Sequence, residues 1–142
     1  MKFLLDTDHI SILQRQAGPE FVALFARIGR QQPEDLAFSV VSFHEQVLGC
    51  HTYLSRARTS ANVTRGYDML TRVLEDFREA QMLPFDTMAA ATLDGLVAQR
   101  IRHAAMDLRI ACIALSRGLT VLTRNTRDFG RVPGLVTEDW TA

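Results

Sequence analysis

The segment Phe3-Leu4-Leu5-Asp6-Thr7-Asp8-His9 predicts the first strand of the fold and carries the first candidate functional residue. Its apolar residues predict a buried strand over residues 2–5, and two carboxylates follow that strand directly. A helical pattern covers residues 9–15, so Asp8 is the candidate N-cap, and Asp6 is left without a local structural role. Because open α/β sheets bind ligands at the carboxyl ends of their strands, Asp6 is a candidate functional acid.

Further strands alternate with helices along the chain. We predict strands at 36–41, 82–85 and 119–122, an edge strand at 135–137, and helices at 20–29, 42–57, 86–103 and 107–117. Thr59, Ser60 and Asn62 mark a turn, and a second long helix after it is expected to run to about residue 80. This alternation predicts an α/β fold with a parallel sheet that helices cover on both faces. The two long helices between residues 42 and 80 are expected to form an inserted antiparallel hairpin.

The composition fits one domain over residues 1–142. A hydrophobic content of 47% and a charged content of 23% are ordinary for a soluble globular protein, and no apolar run reaches the length of a membrane span. The N-terminus has no signal-peptide pattern, and Cys50 and Cys112 have neither metal-ligand spacing nor a disulfide framework. We therefore expect a cytoplasmic protein with two reduced thiols and no membrane association.

The cations of the chain are unusual in kind. The formal net charge is zero, so the molecule as a whole has no long-range attraction for nucleic acid. Of the 16 Lys and Arg residues, only Lys2 is lysine. Arginine suits bidentate contacts to phosphate, but a GC-rich genome would produce the same bias.

Glu45 follows the predicted strand at 36–41 by a few residues. Ser42 and Glu45 have the spacing of a capping box, in which Ser42 would be the N-cap and Glu45 would need no other role. However, Leu48 and Gly49 lie three and four residues further on, and this pattern turns Glu45 toward the interior. The residue also lies at the same sheet edge as Asp6, so a functional role is the second interpretation.

Asp107 is the most informative acid of the chain. Ile110 and Ala111 lie three and four residues after it, and Ala114 lies seven after it, so Asp107 shares their buried helix face. A buried carboxylate is costly unless it is paired or binds a metal. The alternative is a helix N-cap, and we favour the metal because other acids are predicted nearby.

A polar segment, Thr123-Arg124-Asn125-Thr126-Arg127-Asp128, follows the strand at 119–122. Thr123 and Asn125 offer neutral oxygens and Asp128 offers a carboxylate, although an ordinary polar loop would have the same composition. Converging acids repel one another unless a cation neutralises them, and ligands that are all oxygen select Mg²⁺ or Mn²⁺. The four histidines, His9, His44, His51 and His103, lack metal-motif spacing. We interpret His9 and His44 as structural or supporting groups, with a place near the site as the alternative for either.

The order of these motifs resembles a PIN domain, and more closely the VapC-type toxin ribonucleases of bacterial toxin–antitoxin modules. The matching segments span the full chain: Leu4-Leu5-Asp6-Thr7-Asp8, Ser42-x-x-Glu45, Asp107-x-x-Ile110-Ala111-x-x-Ala114, Leu122 to Phe129, Val132-Pro133-Gly134-Leu135 and Glu138-Asp139-Trp140. The resemblance implies a three-layer α/β/α sandwich and a Mg²⁺-dependent endoribonuclease. It assigns the catalytic and metal-binding acids to Asp6, Glu45 and Asp107, with a fourth group near Asn125 or Asp128.

Two departures from the family pattern affect the number of metals. The residue two after the first acid is often Asn and is Asp8 here, and Asn125 stands where the family often has Asp. We expect Thr123 and Asn125 to orient ligands or phosphate, and Asp8 and Asp128 are further candidates for a fourth acid or orienting group. Arg109 and Arg124 are candidate contacts to RNA phosphate. The alternatives are a housekeeping nuclease without an antitoxin and a catalytically weak PIN-like binding module.

The resemblance also implies partners for the chain. They are an RNA substrate, a cognate antitoxin whose helix or extended tail packs near the acids, and a second copy of the chain in a homodimer. The long hairpin between residues 42 and 80 supports the dimer, because its apolar stripes exceed what one small core can bury.

Overall fold

A parallel five-stranded sheet organises the computed structural model, which describes residues 1–101 and 104–142. The strands run in the order β3-β2-β1-β4-β5. Their bounds are Phe3–Leu5 for β1, Leu36–Ser39 for β2, Met82–Leu83 for β3, Thr120–Leu122 for β4 and Thr137–Glu138 for β5. β1 lies between β2 and β4, and Leu4 is in register with Ala37 on one side and Val121 on the other. The first predicted strand is therefore the centre of the sheet.

Helices connect the strands and cover both faces of the sheet. Their bounds are Thr7–Arg15 for α1, Pro19–Ile28 for α2, Val40–Arg56 for α3, Ser60–Arg78 for α4, Thr87–Ala98 for α5, Ala105–Arg117 for α6 and Thr126–Phe129 for α7. Helices α3 and α4 pack together between β2 and β3 as the predicted hairpin. No helix of the described ranges is long and apolar enough to cross a membrane.

Two hydrophobic clusters lie on opposite faces of the sheet. Leu4 and Val121 belong to a cluster with the buried face of α6, whereas Leu5 and Leu122 belong to a second cluster with α1 and α4. Neighbouring residues of one strand point to opposite faces, so each strand contributes to both clusters. This arrangement is a three-layer α/β/α sandwich, and the predicted fold class is confirmed.

The predicted capping box at Ser42 and Glu45 is wrong. Strand β2 ends at Ser39, and the Ser39 hydroxyl accepts a 3.1 Å hydrogen bond from the Ser42 backbone N–H, so Ser39 is the N-cap of α3. Val40 and Val41 fill the first turn of the helix, and a short apolar run does not by itself distinguish a strand from a helix. Glu45 consequently lies in the second turn of α3, where no capping role remains.

The predicted N-cap at Asp8 is also wrong. Helix α1 begins at Thr7, and Asp6 is the N-cap residue with an extended backbone at φ −70° and ψ 160°. The Asp6 Oδ1 atom accepts a 2.8 Å hydrogen bond from the Thr7 backbone N–H. Asp6 thus has a local structural role, contrary to the expectation, because the helix starts two residues earlier than its apolar pattern.

Helix α5 begins as predicted and ends early. The Asp86 carboxylate caps it by accepting a 3.0 Å hydrogen bond from the Ala89 N–H. The helix ends at Ala98, where Arg100 takes a left-handed conformation at φ 58° and the Ile101 N–H reaches the carbonyl of Leu96 at 3.1 Å. Local sequence carries no signal for this stop, since glycine is the usual residue at such a position. The predicted end at His103, like that histidine itself, lies outside the described residues.

Helix α6 begins two residues before its predicted start. Ala104 occupies the N-cap position, so Asp107 lies inside the first turn and is not the cap. Gly118 ends the helix in a left-handed conformation at φ 67°, as predicted. The edge strand β5 is displaced from 135–137 to Thr137–Glu138, because its backbone bonds to β4 run from Val121 to Val136 and from Thr123 to Glu138.

Candidate active site

Three carboxylates from distant parts of the chain meet at the carboxyl edge of the sheet. Asp6 follows β1, Glu45 projects from α3, and Asp107 projects from the first turn of α6. Each offers one oxygen, and these oxygens all lie within 4.8 Å of one another. Within residues 1–101 and 104–142 this is the only group of three or more acidic, histidine or cysteine side chains with metal-binding spacing.

Asp6 is the buried member of the group, with 6% of its surface exposed. Both of its oxygens accept hydrogen bonds: Oδ1 from the Thr7 N–H and Oδ2 from the Thr123 hydroxyl, each at 2.8 Å. Burial raises the pKa of this carboxyl from 3.8 to about 7, and the negative charges of Asp8 and Asp107 add to the effect. The hydrogen bonds from Thr123 and Thr7 oppose the shift without cancelling it. Asp6 therefore lies where a cation would lower the free energy of the site.

Glu45 is half-buried and is held by the first residue of α1. The Thr7 hydroxyl oxygen lies 2.8 Å from Glu45 Oε1 and 2.9 Å from the Ser42 hydroxyl oxygen. Burial raises the pKa of Glu45, and the nearby charge of Asp107 raises it further, while the Thr7 hydrogen bond lowers it. No local sequence pattern pairs Thr7 with Glu45. Thr7 and Glu45 are 38 positions apart in the chain. The one local signal for Thr7 is its position between the two acids Asp6 and Asp8.

Asp107 completes the group from the first turn of α6. Ile110 and Ala111 behind it are fully buried, and Asp107 is half-buried at the surface end of the same helix. Its negative charge raises the pKa of both Asp6 and Glu45, which places it in electrostatic contact with the two other acids. Helix α6 thus anchors in one core cluster and delivers its acid to the site.

Asp8 lies beside this group and is bonded to the segment after β4 and to His9 of its own helix. Its Oδ2 atom accepts a 2.9 Å hydrogen bond from the Arg124 N–H and lies 3.3 Å from the Thr123 hydroxyl. Its Oδ1 atom lies 2.8 Å from Nδ1 of the buried His9. The other ring nitrogen of His9, Nε2, accepts a 3.2 Å bond from the Trp140 N–H. His9 therefore connects the acidic edge to the C-terminal segment, a structural role of the kind the sequence suggested.

The segment after β4 divides into a part that reaches the acids and a part that does not. Thr123 is fully buried, and its hydroxyl also accepts a 3.0 Å hydrogen bond from the Asn125 N–H. Asn125 precedes α7 and offers no side-chain cap to it. Asp128 lies within α7 and is not a member of the three-carboxylate group. The structure therefore brings Thr123 to Asp6 and leaves Asp128 apart.

The two candidate phosphate-binding arginines lie on different sides of the acids. Arg124 is exposed and borders a cleft together with Asp8 and the helices α1 and α4. Arg109, two residues after Asp107, is exposed and borders a largely apolar hollow that His44 and Phe85 also line.

The donor set of the three carboxylates fits a divalent cation. All three offer oxygen, two have pKa values raised by burial and mutual repulsion, and the spacing suits bonds from one ion to several oxygens. Because a bound cation reverses the repulsion among the acids, the arrangement is chemically consistent with a metal site. Such sites support the hydrolysis of phosphate esters.

Comparison with curated proteins gives full-length relatives. The chain is 30% identical to the tRNA(fMet)-specific endonuclease VapC of Salmonella typhimurium, over 99% of this chain and 98% of that protein. It is 32% identical to the protein of the same name from Shigella flexneri, over 99% of each. No family model matches the chain.

Solved structures agree with this relationship. The VapBC-1 structure from nontypeable Haemophilus influenzae shares the fold at a TM-score of 0.77 and 22% identity, with both chains covered in full. DNA-bound VapBC from Salmonella typhimurium has a TM-score of 0.72 at 26% identity, covering 99% of this chain and 98% of that chain. VapBC-5 from Mycobacterium tuberculosis, a member of the VapBC family of toxin–antitoxin systems, has a TM-score of 0.56 at 25% identity over 99% and 98% of the chains.

Proposed function

Since this chain belongs to the VapC family of ribonucleases, we propose that it is the toxin of a toxin–antitoxin pair and cleaves RNA at the acidic edge of its sheet. The observation that carries the proposal is the meeting of Asp6, Glu45 and Asp107 within 4.8 Å. We assign these acids as the catalytic, metal-binding set, with Mg²⁺ or Mn²⁺ as the cation. All-oxygen ligands favour these ions over zinc.

The roles of the side chains follow from their surroundings. A bound divalent ion would supply activation of a water molecule and stabilisation of the leaving oxygen of the phosphodiester bond. Thr123 and the Thr7 N–H hold the Asp6 carboxylate in one orientation. Glu45, whose pKa is raised, is suited to accept a proton from the attacking water at its carboxylate, and the Thr7 hydroxyl orients that group.

The working set of this proposal is three acids with Thr123 as an orienting group. Asn125 adds a neutral residue beside Thr123 rather than a fourth charge. Three carboxylates would hold one cation tightly and a second weakly, because cation affinity depends on the number of charged ligands. Asp8 supports the site through its bond to the Arg124 N–H and is not assigned as a ligand.

A cognate antitoxin is the expected protein partner of this chain. The solved relatives named VapBC are toxin–antitoxin structures, and one of them is 26% identical to this chain over nearly its full length. An antitoxin helix or tail that packs near the acids would inhibit the enzyme. Co-expression with a small neighbouring open reading frame should suppress toxicity, whereas a housekeeping nuclease would have no such neighbour.

A homodimer and a cytoplasmic location remain predictions of the sequence. Tyr67 and Leu74 on α4 are 57% and 59% exposed, and this exposed apolar face is available to a second copy. Light scattering that shows a monomer at micromolar concentration would contradict the dimer. The buried thiols of Cys50 and Cys112 have raised pKa values, with that of Cys112 at about 11, as expected of unreactive reduced cysteines.

The decisive experiment is cleavage by the purified chain without an antitoxin. Initiator tRNA is the first substrate to use, because two relatives are named for cleavage of tRNA(fMet). Cleavage should require Mg²⁺ or Mn²⁺ and should stop with EDTA, and equal cleavage in EDTA would refute the metal. Asp107→Asn should abolish cleavage with the thermal melt preserved. Asp94→Asn, a change at an exposed acid of α5, is the matched control.

A further inference from the structure

A cleft of about 840 Å³ extends from the acidic edge between α1 and α4. Asp8 and Arg124 border it, and both adjoin the acids. The Thr123 hydroxyl that donates to Asp6 also lies 3.3 Å from Oδ2 of Asp8, and Arg124 bonds to Asp8 through its backbone N–H. Further along, Arg15 from the last turn of α1 and Arg72 from α4 line the same cleft. One end of the cleft therefore lies beside the proposed catalytic centre, through Asp8 and Arg124, and the other end lies at Arg15 and Arg72.

The acids that line this cleft accept hydrogen bonds from the protein, whereas its arginines have no ion pair among the described residues. Arg15, Arg72 and Arg124 are exposed, and none forms an ion pair within 4.0 Å in the part of the chain that the structure describes. Asp8 accepts a hydrogen bond from the Arg124 N–H, and Asp76 accepts one from the Gln14 side-chain amide at 2.9 Å. The guanidinium groups of the three arginines are consequently the charged donors that the cleft offers to a ligand.

We propose that this cleft, which we call the arginine cleft, binds the sugar–phosphate backbone of the RNA on one side of the scissile bond. Arg15 and Arg72 contact phosphates away from the acids, and Arg124 contacts the phosphate nearest to them. The inference rests on the proposed ribonuclease function and adds the path of the substrate. It also assigns a function to three of the many arginines of the sequence, because guanidinium groups bind phosphate in a bidentate manner.

The charge distribution favours RNA over a general attraction to anions. The net charge of the chain is zero, so binding must come from a local group of cations rather than from the field of the whole molecule. Three exposed arginines along one passage match the repeated charge of a nucleic-acid strand. Ser11 and Gln16 line the same passage and add hydrogen-bonding groups for ribose hydroxyls.

The test compares the salt dependence of RNA binding and cleavage among charge variants. Arg15→Gln, Arg72→Gln and the double variant each remove cations from the arginine cleft. Arg15→Lys and Arg72→Lys keep the charge and check for loss of fold. Arg30→Gln is the matched control: Arg30 is exposed, has no ion pair among the described residues, and lies between α2 and β2, toward the amino edge of the sheet.

The expected result is a rise in KM of several-fold for each glutamine variant, larger than any fall in kcat. The slope of log KM against log salt should decrease by about 0.7 for each phosphate of a single strand that is no longer neutralised. The lysine variants should retain the parental slope, and Arg30→Gln should leave both KM and slope as they are. A parental KM and slope in the double variant would overturn the proposal.

Two further measurements separate this proposal from its alternatives. Fluorescence anisotropy of labelled single-stranded RNA, with Asp107→Asn protein and with parental protein in EDTA, measures binding without cleavage, so the arginine cleft is tested even if the metal mechanism fails. Suppression by the antitoxin is measured on the same variants. If the double variant binds RNA normally but escapes the antitoxin, the cleft is a protein-binding surface and the proposal is refuted.

Discussion

The Thr123 hydroxyl donates a 2.8 Å hydrogen bond to Oδ2 of Asp6, across 117 residues of sequence. Both residues are buried at the carboxyl ends of neighbouring parallel strands, so the bond joins β1 to the segment after β4. The other oxygen of Asp6 accepts the Thr7 N–H. A carboxylate with both oxygens held in this way keeps one orientation, as a metal ligand requires.

Replacement of Thr123 tests this orientation. Thr123→Val preserves volume but removes the donor to a buried carboxylate, and a hydrogen bond to a charged group contributes about 1.5–3 kcal/mol. We expect kcat/KM to fall by about tenfold or more, with Thr123→Ser retaining most of the activity. Single-turnover cleavage at saturating Mg²⁺ is the measurement. Parental rates in the valine variant would show that the hydroxyl does not orient Asp6.

The raised pKa of Asp6 predicts that this acid destabilises the metal-free protein above neutral pH. The folded-state pKa of about 7 exceeds the ordinary value of 3.8, so the folded protein holds this proton more tightly than the unfolded chain does. The resulting stabilisation is fully present below pH 3.8 and is lost as the pH rises to about 7, a difference of about 4 kcal/mol at most.

Asp6→Asn should therefore stabilise the metal-free protein at pH 8, and asparagine can still cap α1. The gain should disappear as the pH falls below 4, where the parental carboxyl is protonated. Added Mg²⁺ should stabilise the parent and not the variant, because only the parent keeps the full set of acids. Urea unfolding in EDTA and in Mg²⁺ measures the free energy of unfolding of both proteins at each pH. A variant less stable than the parent at pH 8 in EDTA would contradict the raised pKa of Asp6.

Asp128 tests the number of acids in the site. It lies in α7 and outside the group of three carboxylates, so Asp128→Asn should keep cleavage within about twofold of the parent. The measurement is cleavage over a range of Mg²⁺ concentrations. A large loss that high Mg²⁺ partly restores would instead make Asp128 a fourth ligand and indicate a second tightly bound ion.

The two hydrogen bonds of His9 are expected to have separable effects. His9→Asn places an amide near the position of Nδ1, which bonds to Asp8, and leaves the buried Trp140 N–H without its acceptor. An unsatisfied buried donor costs about 1–3 kcal/mol, so this variant should lose stability more than activity. His9→Gln reaches the position of Nε2 and should lose activity more than stability. Equal losses of both quantities in the two variants would contradict this division.

Much of the fold could be predicted from local patterns. The apolar run Phe3–Leu5 and the acids after it predicted the central strand. The start of α5 at Asp86 and the end of α6 at Gly118 were predictable because aspartate and glycine have strong preferences for these positions. The errors lie where local signals conflict. Val40 and Val41 suit a strand as well as a helix, and the left-handed Arg100 stops α5 without the usual glycine.

Local sequence predicts which acids follow strands and which face inward along a helix, because periodicity and strand ends depend on neighbouring residues. The pairing of each acid with its hydrogen-bond donor depends instead on the packing of distant segments. Thr7 meets Glu45 because α1 and α3 both begin at the carboxyl edge of the sheet, and Thr123 meets Asp6 because β4 lies beside β1. These contacts depend on strand order and on how the helices pack over the sheet. Both are set by burial of the two hydrophobic clusters, which join residues far apart in the chain.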